Sequence, residues 1–179
     1  ERWSNYFLRF HDNFKQKWSV NLQQGREENF AFKRRGVLII GVHTVGAGSG
    51  IKNKSEWDKL LEDNLAWTRE QVTTRTHKVV VILTHANPTK DHRIFTDGLS
   101  ELAQESGKSY LYMHGDTHRW LKDRPFAAQN ILRVVVDQGG IADPVKVTVD
   151  LNGEEPEIIF QRRSLSRLNK RNLRGETNE

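Results

Sequence analysis

The sequence predicts a mixed α/β fold, and three observations carry that prediction. First, Val79-Val80-Val81-Ile82-Leu83 and Ser109–Met113 are short apolar runs separated by a segment with helical spacing. A β-α-β unit of this kind favours parallel strands joined by a right-handed crossover. Second, from Ile131 the pattern changes to strand-like runs at Ile131–Val136, Val145–Leu151 and Glu157–Phe160 with no helix between them. These predict antiparallel strands that close a sheet. Third, both runs of the β-α-β unit end in polar loops rich in His and Asp, the arrangement by which α/β proteins gather ligands at one sheet edge.

Taken in order, Trp3, Phe7, Phe10, Phe14 and Trp18 recur at spacings of three and four, which predicts a helix with a buried aromatic face. Gln23 to Glu28 is polar and reads as a loop. Asn29–Phe32 and Gly36–Val42 flank a basic turn and predict a hairpin. The glycine-rich stretch Gly46-Ala47-Gly48-Ser49-Gly50 follows. It lacks the third glycine of a dinucleotide fingerprint, the lysine of a phosphate loop and the glycine spacing of a nucleophile elbow, so it reads as a loop at a strand end. His43, just before it, reads as a loop histidine.

Ser55 followed by Asp58 resembles a capping box, and the helix after it places Trp57, Leu60, Leu61, Leu65 and Val72 on one face. Asp91 is placed to cap a second helix, with Ile94, Phe95, Leu99, Leu102 and Ala103 buried and Gly107 as its stop. Asn152-Gly153 is a turn signal between the last two strands. His11, His77 and His92 fall in polar segments and are expected to face solvent.

The 179 residues predict a single domain over 1–163 followed by a basic tail over 164–179. Net charge is +5, and Arg162 to Arg174 holds six basic residues and no acid. A tail of this kind fits a solvated end, or a contact with nucleic acid or another polyanion. Cysteine is absent, which excludes disulfides and thiolate metal sites. No apolar run approaches the roughly 18 residues of a membrane span. Asn53-Lys54-Ser55 fits a glycosylation acceptor, a pattern short enough to arise by chance.

The chemistry is concentrated in Tyr110-Leu111-Tyr112-Met113-His114-Gly115-Asp116-Thr117-His118-Arg119 and in Thr84-His85-Ala86-Asn87-Pro88. Three imidazoles and a carboxylate from two strand ends can share a metal. His85 with Pro88, and Gly115-Asp116-Thr117-His118, resemble the last two motifs of the calcineurin-like metallophosphoesterase family. There, one strand ends in a ligand histidine and a later strand ends in Gly-His-x-His. The match is closest to members with a His-Gly-Asp-Thr-His form of the last motif, and the order of elements extends it over most of residues 5–160.

The resemblance implies a two-sheet αββα sandwich and hydrolysis of a phosphate ester at a dinuclear centre of Mn, Zn, Fe or Mg. It assigns His85 and His118 as metal ligands, with Asp116 or His114 in the remaining histidine's place. From their positions beside these loops, Arg119 reads as a phosphate contact or a surface ion pair, and Asn87 as a substrate contact or a cap of the turn before Pro88. The family's early Asp-x-His, Gly-Asp and Gly-Asn-His motifs, which supply the bridging carboxylate, are not found ahead of this region. The expectation is therefore that the N-terminal strands are missing and that this chain alone lacks part of the site. The alternative is a non-catalytic module on the same scaffold that holds nucleic acid or another polyanion.

Overall fold

A computed structural model describes residues 18–46, 51 and 53–162. The aromatic stripe ahead of Trp18, His11, residues 47–50 of the glycine-rich stretch and the basic tail lie outside the described residues. The elements are β1 (Asn21–Gln23), β2 (Arg26–Arg34), β3 (Val37–Gly41), α1 (Lys54–Thr74), β4 (Val79–Leu83), a 3₁₀ turn (Lys90–His92), α2 (Arg93–Ser106), β5 (Ser109–His114), β6 (Leu121–Asp123), β7 (Ile131–Val135), β8 (Lys146–Asp150) and β9 (Glu157–Gln161). Seven strands form one sheet in the order β1-β2-β3-β4-β5-β7-β6, and β8 and β9 form a second, two-stranded sheet.

The four central strands, β3, β4, β5 and β7, are parallel. Their register sorts side chains into two faces, because alternate residues of a strand point to opposite sides. Leu38, Val80 and Tyr110 are aligned across the sheet, as are Ile40, Ile82 and Tyr112. These rows pack under α1 and α2 with Trp57, Leu61, Trp67, Val72, Phe95, Leu99 and Leu102. On the opposite face Val79, Val81, Leu111, Leu132 and Val134 meet Val147, Val149, Ile158 and Phe160 of the β8–β9 hairpin. Runs apolar at every position are what a sheet covered on both faces requires.

The two helices approach closely because position 98 is glycine. A Cβ there would stand 2.3 Å from Cδ2 of Leu65. The basic turn is a tight two-residue link in which Arg35 (φ 46°) and Gly36 (φ 82°) both take positive φ, as the twist of a hairpin favours. Gly107 (φ 63°) ends α2 and donates its N–H to the carbonyls of Ala103 and Gln104.

Several expectations are corrected. Gln23 to Glu28 is not a loop: Gln24 and Gly25 form a turn, and β1 and β2 pair on either side of it. The cap of α1 is Asn53, whose side chain accepts from the N–H groups of Ser55 and Glu56, so the Ser55 capping box does not form. Thr89, not Asp91, caps the 3₁₀ turn that leads into α2. The strand at Ile131 is parallel to β5, and its antiparallel partner is β6, an edge strand too short to show a period. Lys146–Asp150 and Glu157–Gln161 do pair antiparallel, but in their own sheet.

His77 and His92 are buried, not solvent-facing. His92 links three elements: Nε2 lies 3.0 Å from the Val45 carbonyl, Nδ1 accepts from the Thr89 N–H, and Trp57 packs on the ring edge. His77 Nδ1 lies 2.6 Å from the Arg75 carbonyl and Nε2 lies 3.4 Å from Lys108 Nζ. The neutral ring donates to the first and accepts from the second.

Burial, and secondarily the Lys108 and Lys33 cations, hold the pKa of His77 below its ordinary value, with the Arg75 carbonyl opposing them. Above about pH 6.5 neither folded nor unfolded chain protonates this ring. Below that, the unfolded chain binds a proton that the folded chain refuses, so stability falls with pH down to the folded pKa. The urea midpoint is therefore expected to drop between about pH 7.5 and about pH 5, and His77→Gln to flatten part of that drop. An unchanged slope in the variant would assign the acid sensitivity elsewhere.

Candidate functional site

The chemistry-bearing residues sit where the parallel strands end. Three backbone bonds prolong the ladder past the last paired residues: Val42 N–H to the Leu83 carbonyl (3.0 Å), Thr84 N–H to Met113 (3.0 Å) and Val136 N–H to His114 (2.9 Å). The exits of β3, β4, β5 and β7 are thus fixed side by side. Below them the Thr44 and Thr84 hydroxyls are hydrogen-bonded to each other, and the Thr44 oxygen accepts from the Ala86 N–H at 3.0 Å. The Tyr112 hydroxyl bonds Thr84, and burial keeps it protonated, raising its pKa far above the ordinary range.

The β4 and β5 exits are tied to each other directly. The Asn87 N–H donates to Asp116 Oδ2 at 2.9 Å, a charge-assisted bond between the loops. His85 Nδ1 lies 3.9 Å from where a Cβ on Gly115 would stand, so this glycine leaves the histidine beside the second loop's backbone. Asp116 (φ 67°) and His118 (φ 57°) both adopt left-handed backbone. Aspartate tolerates that region better than most residues, because its short side chain bonds locally. Two such residues within three positions carry backbone strain at the surface, and strain of this kind clusters at functional sites.

The predicted ligands divide into two groups. His85, Asp116 and His118 are exposed at the edge. His114 is buried at 2% exposure, on the helix-facing row with Tyr110 and Tyr112. Its Nδ1 lies 3.0 Å from the Gly115 carbonyl, its ring meets Tyr112 edge-on, and its Nε2 has no hydrogen-bond partner among the described residues. Burial depresses its pKa, with the Gly115 carbonyl pulling the other way. Among the described residues no group of three or more His, Asp or Glu side chains converges to hold a metal. The donor set present therefore does not by itself fit a complete centre.

Asn87 is half-buried, and its side-chain oxygen lies 3.5 Å from Nη1 of Arg133. Arg133 in turn grips Asp123 through Nε (2.8 Å) and Nη2 (2.6 Å), a fork-on-carboxylate pairing. Arg119 is exposed and makes no ion pair among the described residues. Sequence reasoning missed Arg133, Asp123 and the Thr44–Thr84–Tyr112 cluster. One signal was available: an arginine inside the apolar run Ile131–Val136 has to be paired.

No family model matches the chain, and no curated protein or solved structure matches it. No helix among the described residues is long and apolar enough to cross a membrane.

The left-handed backbone at Asp116 can be tested apart from its carboxylate. Asp116→Gly and Asp116→Ala both remove the acceptor of the Asn87 N–H, but only glycine takes this conformation without a Cβ penalty. The alanine variant is expected to be less stable than the glycine variant by about 1 kcal/mol in urea unfolding. Equal stabilities would mean that the loop relaxes out of this conformation at no cost.

Proposed function

We propose that this chain is the edge-forming part of a metal-dependent phosphoesterase, with His85 and His118 as histidine ligands and Asp116 as the carboxylate. The observation that carries the proposal is the bond from the Asn87 N–H to Asp116, which makes one edge of two loops that exit neighbouring parallel strands. The paired left-handed residues support it, since they hold donor groups at that edge against a backbone cost. Bound divalent metal would supply Lewis-acid charge and a water of lowered pKa.

The residues of this chain would have three tasks. His85 and His118 would hold metal from the two loops. The Asn87 N–H would orient the Asp116 carboxylate, as outer contacts orient metal ligands. Arg119, unpaired among the described residues, would neutralise an oxygen of the phosphate. Ligands beyond those of the described residues are required, and no catalytic step is assigned without them.

One observation favours a second reading, a non-catalytic module that holds nucleic acid or another polyanion. Next to the key loop Arg162 lies 4.9 Å from the Trp120 ring centre and Lys122 lies 5.4 Å from that of Phe160, and the two rings meet edge-on. Cations interleaved with aromatic faces suit single-stranded nucleic acid. The Asp137 carboxylate, 2.9 Å from Arg162, offsets that charge and weighs against it.

In excess Mn²⁺ the 179-residue chain is expected to hydrolyse little or no bis-p-nitrophenyl phosphate. A longer chain that also carries a bridging carboxylate is expected to hydrolyse it, and His118→Ala to abolish that turnover with the far-UV circular dichroism unchanged. Turnover that survives His118→Ala would refute the ligand assignment. An inactive protein with tight, salt-sensitive oligonucleotide binding would support the second reading.

A further inference from the structure

On the helix side of the sheet lies a cleft of about 300 Å³ that the proposed site does not use. The start of α2 forms one wall, the Pro125–Ala127 segment forms the other, and Arg133 of β7 lies between them. Its volume is at the lower end of small-molecule sites.

The charge of the cleft is uneven. Lys90 and Arg93, three residues apart, both line it, and neither makes an ion pair among the described residues. Arg133 is already matched by Asp123. Asp97 is the one carboxylate in the lining, so two cations face a single anion. Several amides at the start of the helical segment are already engaged: the Asp91 N–H donates to the Thr89 hydroxyl, the Thr89 N–H to His92 Nδ1 and the His92 N–H to the Thr89 carbonyl. The attraction for an anion is therefore assigned to the Lys90 and Arg93 side chains.

We propose that this cleft binds a small phosphorylated molecule bearing hydroxyl groups. Its phosphate lies on Lys90 and Arg93, and its body lies between Phe126 and Asp97. A phosphate has oxygens enough to take the two-pronged Arg93 guanidinium and the Lys90 ammonium together. Asp97 repels a second anion but accepts hydrogen bonds from hydroxyls. Pro125 and Phe126 provide the apolar wall that such sites pair with a few polar groups. The inference goes beyond the proposed hydrolysis and needs no metal.

The test is calorimetric titration with ribose 5-phosphate in the presence of EDTA. The unmodified chain is expected to bind it and to ignore ribose. Lys90→Ala combined with Arg93→Ala, two exposed positions, is expected to weaken binding at least about tenfold while circular dichroism and the urea midpoint stay unchanged. Asp97→Asn is expected to alter the affinity for ribose 5-phosphate but to leave inorganic phosphate binding intact or tighter. Lys146→Ala, an exposed position of β8 in the hairpin on the opposite face of the sheet, is expected to bind as the unmodified chain does. No binding of ribose 5-phosphate, or binding indifferent to the double substitution, overturns the inference. Because EDTA removes metal, ribose 5-phosphate binding is read independently of the phosphoesterase proposal, which stands or falls on hydrolysis by the longer chain and its His118→Ala variant.

Discussion

The parallel pairing of β4 with β5 is the constraint on which the rest depends. Val79 to Leu83 align with Ser109 to Met113 residue for residue, and the Thr84 N–H carries the ladder one step further to the Met113 carbonyl. A slip of one residue would turn Tyr110 and Tyr112 from the helices toward the β8–β9 hairpin, and would expose apolar side chains of both faces. It would also separate the two exits. The Asn87–Asp116 bond and the approach of the His85 ring to Gly115 exist only in this register.

The same register explains how a half-buried arginine is tolerated. The row Ile40, Ile82, Tyr112 continues across the sheet to Arg133. Three apolar or aromatic members pack under the helices, and the fourth is a cation with 13% of its side chain exposed. A half-buried charge needs a partner. Asp123 provides it from the three-residue edge strand, adding a side-chain tie to the backbone ladder between β6 and β7. Arg133 thus anchors the sheet's far edge, borders the cleft and touches Asn87 of the candidate site.

Where the sequence carried a strong period, it was readable. The β4 run, the β5 run, the inward face of α2 and its Gly107 stop follow from apolar spacing and from the one residue type that favours a left-handed cap. The errors fell where tertiary contacts decide. His77 and His92 lie in polar segments, yet each finds carbonyl or cation partners contributed by distant residues and is buried by them. Asn53 competes with Ser55 for one helix start, and local spacing does not say which side chain reaches the free amides. The strand at Ile131 looked antiparallel because no helix precedes it; β6, running antiparallel to β7, and the segment 124–130 after it carry the chain back instead. For the site, the sequence placed His85, Asp116 and His118 at strand exits. The burial of His114 was not readable, because its side depends on a strand one residue longer than the apolar run.

The proposed phosphoesterase reading requires the β4 and β5 exits to act as one metal-holding edge. Titration of the 179-residue chain with Mn²⁺, followed by paramagnetic broadening of backbone amide signals, tests it most directly, because broadening reports even weak binding by position. The account predicts loss of signal first at His85, Asn87 and Gly115–His118, before the Lys90–Asp97 segment and the β8–β9 hairpin. Broadening that begins elsewhere, or none at that edge with Mn²⁺ in large excess, would contradict it.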